Sequence, residues 1–364
     1  MEQFTNSAIY DNISLGEWNP DYLSCIKDYN FLILILSISY GVIFPASLLG
    51  NGYVIVHFFL HRKSSSTSKG LMANLAMLDF LLALSLPLVI VYHSKGNNWL
   101  FGNFFCYVSS SLFYGNLYGS NLFFTTICLE RYTAVCHPFI YQRVKTPAIC
   151  KTICCSIWLI IIMGIIFICT KVQVVTRQPN GTITCGDTFS EKAWSDLLTP
   201  LIIILSVMCF FVPYVFVLSC YSLIVLKLRY LDSNIRSQVP KKKCMQAILS
   251  VFVVMTICYL PFHTFQMVNA FHRLHSAHIQ GASFIICVGQ RISVCLASLN
   301  SFLDPFVYYF LCDSFKWAYS CLGMDKDIHG RVSTGLKAQS SDGAPVYHRT
   351  STKHLSIHLL QLVK

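Results

Sequence analysis

Residues 70–92 of this chain read GLMANLAMLDFLLALSLPLVIVY, and Asp79 is the only charged residue among them. A helix needs roughly 20 apolar residues to cross the hydrocarbon core of a bilayer. The stretch therefore predicts a membrane-spanning helix. Its single carboxyl group marks a place where that helix needs a partner inside the protein.

Six further stretches have the same character, so the sequence predicts an all-α membrane protein: a seven-transmembrane helix bundle, followed by a short cytoplasmic amphipathic helix. The composition agrees, with 54% hydrophobic and 12% charged residues against about a quarter charged in an average soluble domain. This argues against a cytosolic enzyme or a disordered chain. The predicted spans are Phe31–Leu60, Gly70–Tyr92, Phe104–Val135, Ile149–Thr170, Leu197–Leu228, Met245–Phe271 and Ala282–Leu311.

The lysines and arginines indicate which side of the membrane each loop occupies. They concentrate in the loops after the first, third and fifth spans, which predicts that those loops are cytoplasmic and the N-terminus is outside. The net charge of +11 forms short clusters between apolar runs and no basic face, so we expect no nucleic-acid partner. The expected location is the plasma membrane, with several passes.

Three regions follow from this topology: an extracellular N-terminal tail at 1–30, the membrane domain at 31–311, and a cytoplasmic helix and disordered tail at 312–364. Asn12 and Asn180 begin Asn-x-Ser/Thr sequons on the outer side and are candidates for glycosylation. Cys106 and Cys185 also face this oxidising side and form the best candidate disulfide. Cys25 has no evident outer-loop partner, because Cys287 is expected within the seventh span.

Several predicted spans contain polar residues that are costly in hydrocarbon unless they are partnered. If Asp79, Ser120, Asn300 and Asp304 lie at similar depth, they form one interior cluster that could hold a cation. The alternative is that polar residues in this cluster only join helices through hydrogen bonds. Either interpretation requires the seven spans to pack as one bundle.

The inner end of the third span carries Glu130-Arg131-Tyr132. An arginine beside a carboxylate at the membrane boundary predicts an ion pair that can exchange one partner for another. Pro213 and Pro261 lie inside later spans, where each removes a backbone hydrogen bond and allows a kink.

Taken together, these landmarks resemble the rhodopsin-like class A of G-protein-coupled receptors over about residues 30–320. The matching positions, in chain order, are Asn51, Asp79, Cys106, Glu130-Arg131-Tyr132, Trp158, Cys185, Pro213, Tyr221, Cys258-Tyr259-Leu-Pro261 and Asp304-Pro305-Phe-Val-Tyr308. Two positions depart from the class: Tyr259 stands where tryptophan is usual, and Asp304 stands where asparagine is usual.

The resemblance implies roles for particular residues. It implies an activation switch, a sodium site and a contact with a heterotrimeric G protein. The switch residues would be Glu130, Arg131, Tyr132, Tyr221, Tyr259, Pro261 and Tyr308; the sodium ligands would be Asp79, Ser120, Asn300 and Asp304; the G-protein contacts would be Arg131, Pro138 and Phe139. No other cofactor is implied, and the protein would not be an enzyme.

Within the class, the chain looks like the branch of purinergic nucleotide and lysophospholipid receptors. The stretches that carry this likeness are Asn116–Ser120, Thr182–Cys185, Pro261–His263 and Leu296–Asn300. The basic residues with which nucleotide receptors hold phosphates are missing, because Ser110, Gln266 and Val294 occupy those positions. Phosphate recognition favours charge-assisted donors, so a nucleotide triphosphate is poorly served.

A small extracellular ligand with one anionic head and an apolar tail fits the remaining residues better. The candidate head-group contacts are His263, Arg291, Gln266 and Lys171; the candidate tail contacts are Phe113, Tyr114, Leu117 and Phe262. Simpler interpretations stay open: His263 as a core histidine, Arg291 reaching the lipid head groups, and Lys171 as an interfacial residue. A nucleotide and a lysolipid both remain candidate ligands.

The tail adds two expected partners, membrane lipids and arrestin. Cys312 and Cys321 are candidates for palmitoylation, which would attach this region to membrane lipids. Serines and threonines between 333 and 352 would bind arrestin once phosphorylated.

The competing function is a transporter or ion channel that uses Asp79 and Asp304; the lack of an internal repeat argues against it.

Overall fold

The computed structural model describes residues 30–60, 67–144, 146–178, 181–187, 189, 191–230, 245–246, 248–274 and 282–311. All of them belong to one compact unit, Met1–Asp313. Asn12, Cys25, Asn180, Cys312, Cys321 and the whole of 312–364 lie outside the described residues. The expectations for glycosylation, palmitoylation, the cytoplasmic helix and the tail therefore stay predictions.

Seven long helices follow one another along the chain, as the apolar runs predict. We name them the first to seventh membrane helices. The first four are Asn30–Leu60, Thr67–Ser94, Gly102–Cys136 and Pro147–Lys171. The fifth runs from Trp194 to Tyr230, the sixth covers Ile248–Leu274, and the seventh is Ala282–Leu311. The seven-helix prediction is confirmed.

The third membrane helix differs from the other six in composition. Among the described helices, the other six are apolar enough over a sufficient length to cross a membrane. The third is long enough but buries serines and asparagines, including Ser110, Asn116, Ser120 and Asn121. It packs against the second, fourth and fifth membrane helices. Because protein surrounds it, its polar groups meet other helices and not lipid, so the assumption of an apolar run does not hold for this helix.

Three short elements were not expected from the sequence. A short helix, Pro138–Val144, follows the third membrane helix. The strands β1 (Val175–Arg177) and β2 (Ile183–Cys185) form an antiparallel hairpin between the fourth and fifth membrane helices. In this hairpin Val175 pairs with Cys185, and Arg177 pairs with Ile183. The sequence between the strands contains Asn180-Gly181, a dipeptide typical of hairpin turns.

Prolines explain the irregular turns of the fifth and sixth membrane helices. Three π-helical turns occur, at Trp194–Leu198, Val207–Phe211 and Met255–Tyr259. A proline follows the end of each turn by two residues: Pro200, Pro213 and Pro261. Proline has no N–H, and its ring crowds the carbonyl four residues earlier. The N–H just before each proline instead reaches five residues back, as from Leu260 to the Met255 carbonyl.

The seventh membrane helix has the same problem at Pro305, and another helix supplies the missing donor. Pro305 cannot donate to the carbonyl of Ser301, four residues earlier. The side-chain amide of Asn51 donates to that carbonyl at 2.8 Å, and also to the Ser47 carbonyl at 3.0 Å. Asn51 and Ser301 are fully buried. The Asn51 amide thus replaces the backbone N–H that Pro305 lacks, and this hydrogen bond holds the first membrane helix against the seventh.

Gly50 allows this close approach of the first and seventh membrane helices. A Cβ atom at residue 50 would lie 2.9 Å from Cγ of Pro305, whose ring cannot move aside. A Cβ atom at Gly41, earlier in the same helix, would meet nothing within 4 Å. Within the same helix, Gly50 is therefore packed against Pro305, whereas Gly41 has room for a side chain.

We expect Gly50→Ala to destabilise the purified protein by about 1–3 kcal/mol, the usual cost of overpacking a tight contact. Gly41→Ala is the matched control, because it gains the better helix propensity of alanine without a clash. The measurement is thermal unfolding of both variants in the same lipid nanodisc. Equal melting temperatures would show that the Gly50–Pro305 contact does not hold the helices together.

Candidate functional site

A buried carboxylate lies at the centre of the bundle. Asp79 has no exposed surface and accepts hydrogen bonds from three side chains. Asn116 donates at 2.8 Å, Asn300 at 3.3 Å and Tyr308 at 3.0 Å. These donors come from the third and seventh membrane helices, so Asp79 on the second helix joins three helices. Such partners offset the cost of placing a carboxylate in a low-dielectric interior.

A second carboxyl group, that of Asp304, interacts with Asp79 in this polar centre. Both Asp304 oxygens, Oγ of Ser120 and Oδ1 of Asn300 are buried and make no hydrogen bond of normal geometry with the described residues. Asp79, Ser120, Asn300 and Asp304, predicted from the sequence to form one cluster, therefore belong to the same buried region. Asn116 also belongs to it as a donor to Asp79, which the sequence prediction did not include.

The C-terminal end of the third membrane helix carries Glu130-Arg131-Tyr132. The hydroxyl of Tyr141, on the short helix, reaches Oε1 of Glu130 at 3.5 Å. The Tyr132 hydroxyl lies 3.3 Å from Nε2 of His137. In this conformation Tyr308 donates to Asp79. The roles assigned to the switch residues, including Tyr221, the buried Tyr259 and Pro261, stay predictions.

Phe139 stands out beside this triplet because 82% of its surface is exposed. It lies on the short helix Pro138–Val144, and its neighbour Ile140 is 53% exposed. Exposed apolar side chains next to a functional motif are typical of a partner-binding surface. The predicted contact of Pro138 and Phe139 with a G protein remains a prediction, now with an exposed side chain at the second position.

A cavity of about 470 Å³ opens between the helices near the β1–β2 hairpin; we name it the main cavity. The first, second and seventh membrane helices line one side, with Tyr40, Tyr92 and Ser298 among their residues. The third, fourth and fifth helices line the other side, which extends to Ile160. Since Ile160 is 56% exposed, this side of the cavity reaches the face of the fourth helix that points away from the bundle.

The Cys106–Cys185 disulfide holds the hairpin over the main cavity. The bond is present, as the sequence predicted, and joins the start of the third membrane helix to strand β2. Cys185, Gly186 and Asp187 all line the cavity. Cys287 lies in the seventh membrane helix as expected, but it is itself disulfide-bonded, so its position in the helix did not preclude a bond.

Asp187 forms an ion pair with Arg291 across the main cavity. Arg291 Nη1 lies 2.8 Å from Asp187 Oδ2, and the hydroxyl of Tyr92 donates to the same carboxylate oxygen. Burial is the largest single influence and would raise the pKa of Asp187, but the charges of Arg291 and His93 and the hydrogen bonds from Tyr92 and Arg291 together outweigh it, and the pKa is lowered. The carboxyl group is therefore ionised at neutral pH. Sequence reasoning had not singled out Asp187; its place two residues after Cys185 was the available signal.

Five of the eight residues predicted to contact the ligand line the main cavity: Phe113, Tyr114, Phe262, Gln266 and Arg291. Phe113 and Phe262 face each other edge to face, with ring centroids 6.0 Å apart. Gln266 accepts a bond from Gln290 at 3.4 Å. The structure thus brings together the aromatic and amide groups that the sequence had assigned to one pocket.

The other three predicted contacts, His263, Leu117 and Lys171, are not among the described residues that line the main cavity. His263 is fully buried, stacks on Phe210 with centroids 4.3 Å apart, and bonds through Nδ1 to Ser206 at 3.2 Å. Leu117 belongs to the central apolar core, and Lys171 is exposed at the end of its helix. This placement of His263 corresponds to the alternative of a core histidine.

A bundle of seven membrane helices, with a polar centre and a cavity beneath a disulfide-anchored hairpin, defines a class of membrane receptor. The profile of the family described as "7 transmembrane receptor (rhodopsin family)" matches residues 50–308. The chain belongs to this family and is a G-protein-coupled receptor of the cell surface. It is not an enzyme, and the family does not support a transporter or channel.

The similar proteins are receptors for several kinds of ligand. Human lysophosphatidic acid receptor 4 is 29% identical over 87% of this chain and 84% of its own length. The uracil nucleotide/cysteinyl leukotriene receptor of Rattus norvegicus is 29% identical over 89% of this chain and 91% of its own. Human proteinase-activated receptor 2 is 31% identical over 77% and 69% of the two chains. The purinergic and lysolipid branch inferred from the sequence is confirmed.

Proposed function

We propose that this receptor is activated by an amphipathic lipid mediator that binds in the main cavity. One observation carries the proposal: the lining is mostly aliphatic and aromatic, while its Asp, Glu, Lys and Arg members among the described residues are only Asp187 and Arg291. A nucleotide triphosphate needs several charge-assisted donors for its phosphates. Ser110 and Val294 line the cavity where such donors would be required.

The extension of the cavity towards Ile160 also favours a lipid. Ile165, Leu201 and Leu205 line this side together with Leu122, so an acyl chain would contact apolar groups along its length. Because the lining reaches the outer surface of the fourth membrane helix, a lipid could enter sideways from the bilayer. Two of the similar receptors are named for lysophosphatidic acid, which supports a lipid ligand for this chain.

Ligand binding would favour the active arrangement of the helices over the resting one and so shift the population of the receptor. Arg131 would then contact the G protein, with Phe139 packing against it. The prolines and π-helical turns of the fifth and sixth helices provide places where these helices can bend. The orientation that goes with this function puts the hairpin outside and the Glu130-Arg131-Tyr132 end in the cytoplasm. A phosphorylated tail would recruit arrestin.

The polar centre is proposed to hold a sodium ion. The buried oxygens of Asp304, Ser120 and Asn300, which make no hydrogen bond of normal geometry with the described residues, fit a hard cation. A cation would also offset two carboxylates in one buried region. Asp79 and Asp304 would hold the ion, which supplies positive charge and stabilises the packing around Asp79.

A sodium effect on stability tests this site without any signalling assay. Replacing potassium by sodium at constant ionic strength should raise the melting temperature of the purified receptor. In Asp79→Asn that sodium effect should disappear, because the variant loses the carboxylate at the centre of the site. An equal response of both proteins to sodium would refute the site.

The ligand class is tested by G-protein activation in cells that express the receptor, challenged with a panel of nucleotides and a panel of lysophospholipids. We expect a response to a lysophospholipid only. Phe113→Ala should weaken its potency about tenfold or more, because an aromatic wall of the cavity is lost. Phe306→Ala, which removes a side chain that is 58% exposed, is the matched control. A nucleotide response that Phe113→Ala leaves unchanged would contradict the proposal.

Arg131→Ala should abolish G-protein activation while ligand binding and surface expression persist. Phe139→Ala should weaken coupling about tenfold, because a buried aromatic contact is worth roughly 1.4 kcal/mol or more at an interface. Lys192→Ala, an exposed substitution near the hairpin end of the bundle, is the control. Full signalling by Arg131→Ala at normal expression would remove the proposed role of this residue.

A further inference from the structure

The two charged ends of the Asp187–Arg291 pair both face the main cavity. The Arg291 side chain is 14% exposed and that of Asp187 is 19% exposed, so neither end of the pair is well solvated. Among the described lining residues, no other Asp, Glu, Lys or Arg is present. Any ligand head group that reaches this end of the cavity therefore meets one positive and one negative charge that already neutralise each other.

This pairing determines which head groups bind well. An anion that takes Arg291 for itself leaves the Asp187 carboxylate buried without a counter-charge, and a cation on Asp187 leaves Arg291 in the same state. Separating a buried ion pair in this way is strongly unfavourable. An uncharged head group gains no charge-assisted hydrogen bond at all. A head group that carries both charges can replace each half of the pair with a new partner.

The surroundings of the two charges differ in a way that suits such a head group. Aromatic rings stand on the Asp187 side: Tyr92 donates to its carboxylate, and Trp99 lies edge to face with Tyr92 at 5.8 Å. Tyr40 lines the same side and stacks on His93 at 5.7 Å. A carboxylate among aromatic rings attracts a quaternary ammonium group through charge and cation–π contact.

The Arg291 side offers donors for an anion. Gln290 precedes Arg291 in the sequence, bonds to Gln266 at 3.4 Å, and lines the cavity with it. A guanidinium and side-chain amides that line the same cavity can give several hydrogen bonds to a phosphate group. The phosphate would lie on the Arg291 side and the ammonium among the rings around Asp187.

We infer that the head-group end of the main cavity is a site for a zwitterion, and that the ligand is a single-chain lipid with a phosphocholine-type head. The inference rests on the proposed function, since it specifies the head group of the lipid bound in the same cavity. The acyl chain would extend towards Leu201 and Leu205. A net-anionic lipid with the same chain is the disfavoured ligand.

The direct test is binding to the purified full-length receptor in nanodiscs, using three lipids with one common acyl chain. Lysophosphatidylcholine is zwitterionic, lysophosphatidic acid is anionic and monoacylglycerol is uncharged. We expect the wild-type receptor to bind lysophosphatidylcholine at least about tenfold more tightly than either of the others. This comparison needs no variant, so misfolding of a mutant cannot obscure it.

Substitution of the acidic partner should reverse the preference. Asp187→Asn leaves Arg291 without its counter-charge, so lysophosphatidic acid should gain about tenfold in affinity and lysophosphatidylcholine should lose a similar factor. Asp196→Asn is the matched control, because Asp196 is exposed and does not line the cavity. Arg291→Gln should weaken both phospholipids, with Arg177→Gln as its control, because Arg177 is exposed on strand β1 and does not line the cavity.

The outcomes separate this inference from the proposed function. Tighter binding of lysophosphatidic acid than lysophosphatidylcholine by the wild type overturns the zwitterion site but leaves a lipid receptor. Unchanged head-group preference in Asp187→Asn also overturns it. Failure of all three lipids to bind a receptor that is folded by thermal unfolding overturns the proposed lipid function and this inference together.

Discussion

The bundle depends on one constraint: the carboxylate of Asp79 is buried where water cannot reach it. Hydrogen bonds from Asn116, Asn300 and Tyr308 stabilise this charge, and they can do so only if three helices keep their register. The Asn51 bond to the Ser301 carbonyl adds the first membrane helix to the same arrangement. Because every one of these groups is buried, rearranging the polar centre must move several helices together, as a signalling bundle requires.

Burial also requires paired charges at the hairpin end of the bundle. The disulfide fixes strand β2, and this places Asp187 opposite Arg291 above an apolar cavity. The pair adds no net charge to the cavity lining, so under the proposed function affinity would come from the apolar walls and from exchange of both charges. The second and seventh membrane helices contribute both to the main cavity and to the polar centre, and they would link ligand binding to the polar centre.

The sequence predicted what local pattern and membrane physics determine: seven helices, the Cys106–Cys185 bond and the polar cluster around Asp79. It also contained the cause of each π-helical turn, because a proline follows each one closely. It did not reveal that His263 faces Phe210 and Ser206, since the rotation of a buried helix depends on its neighbours. Nor did it reveal that Asp187 pairs with Arg291, because the two residues are about a hundred positions apart in the sequence.

The central claim is that an amphipathic lipid in the main cavity holds the receptor in its signalling state. The most direct measurement is a cryo-electron microscopy structure of the receptor–G-protein complex, formed with lipids extracted from expressing cells. We expect elongated density from the Asp187–Arg291 pair past Phe113 towards Leu205, with Arg131 against the G protein. A complex resolved well enough to show side chains, with an empty main cavity or with its ligand bound elsewhere, would contradict the proposed lipid site.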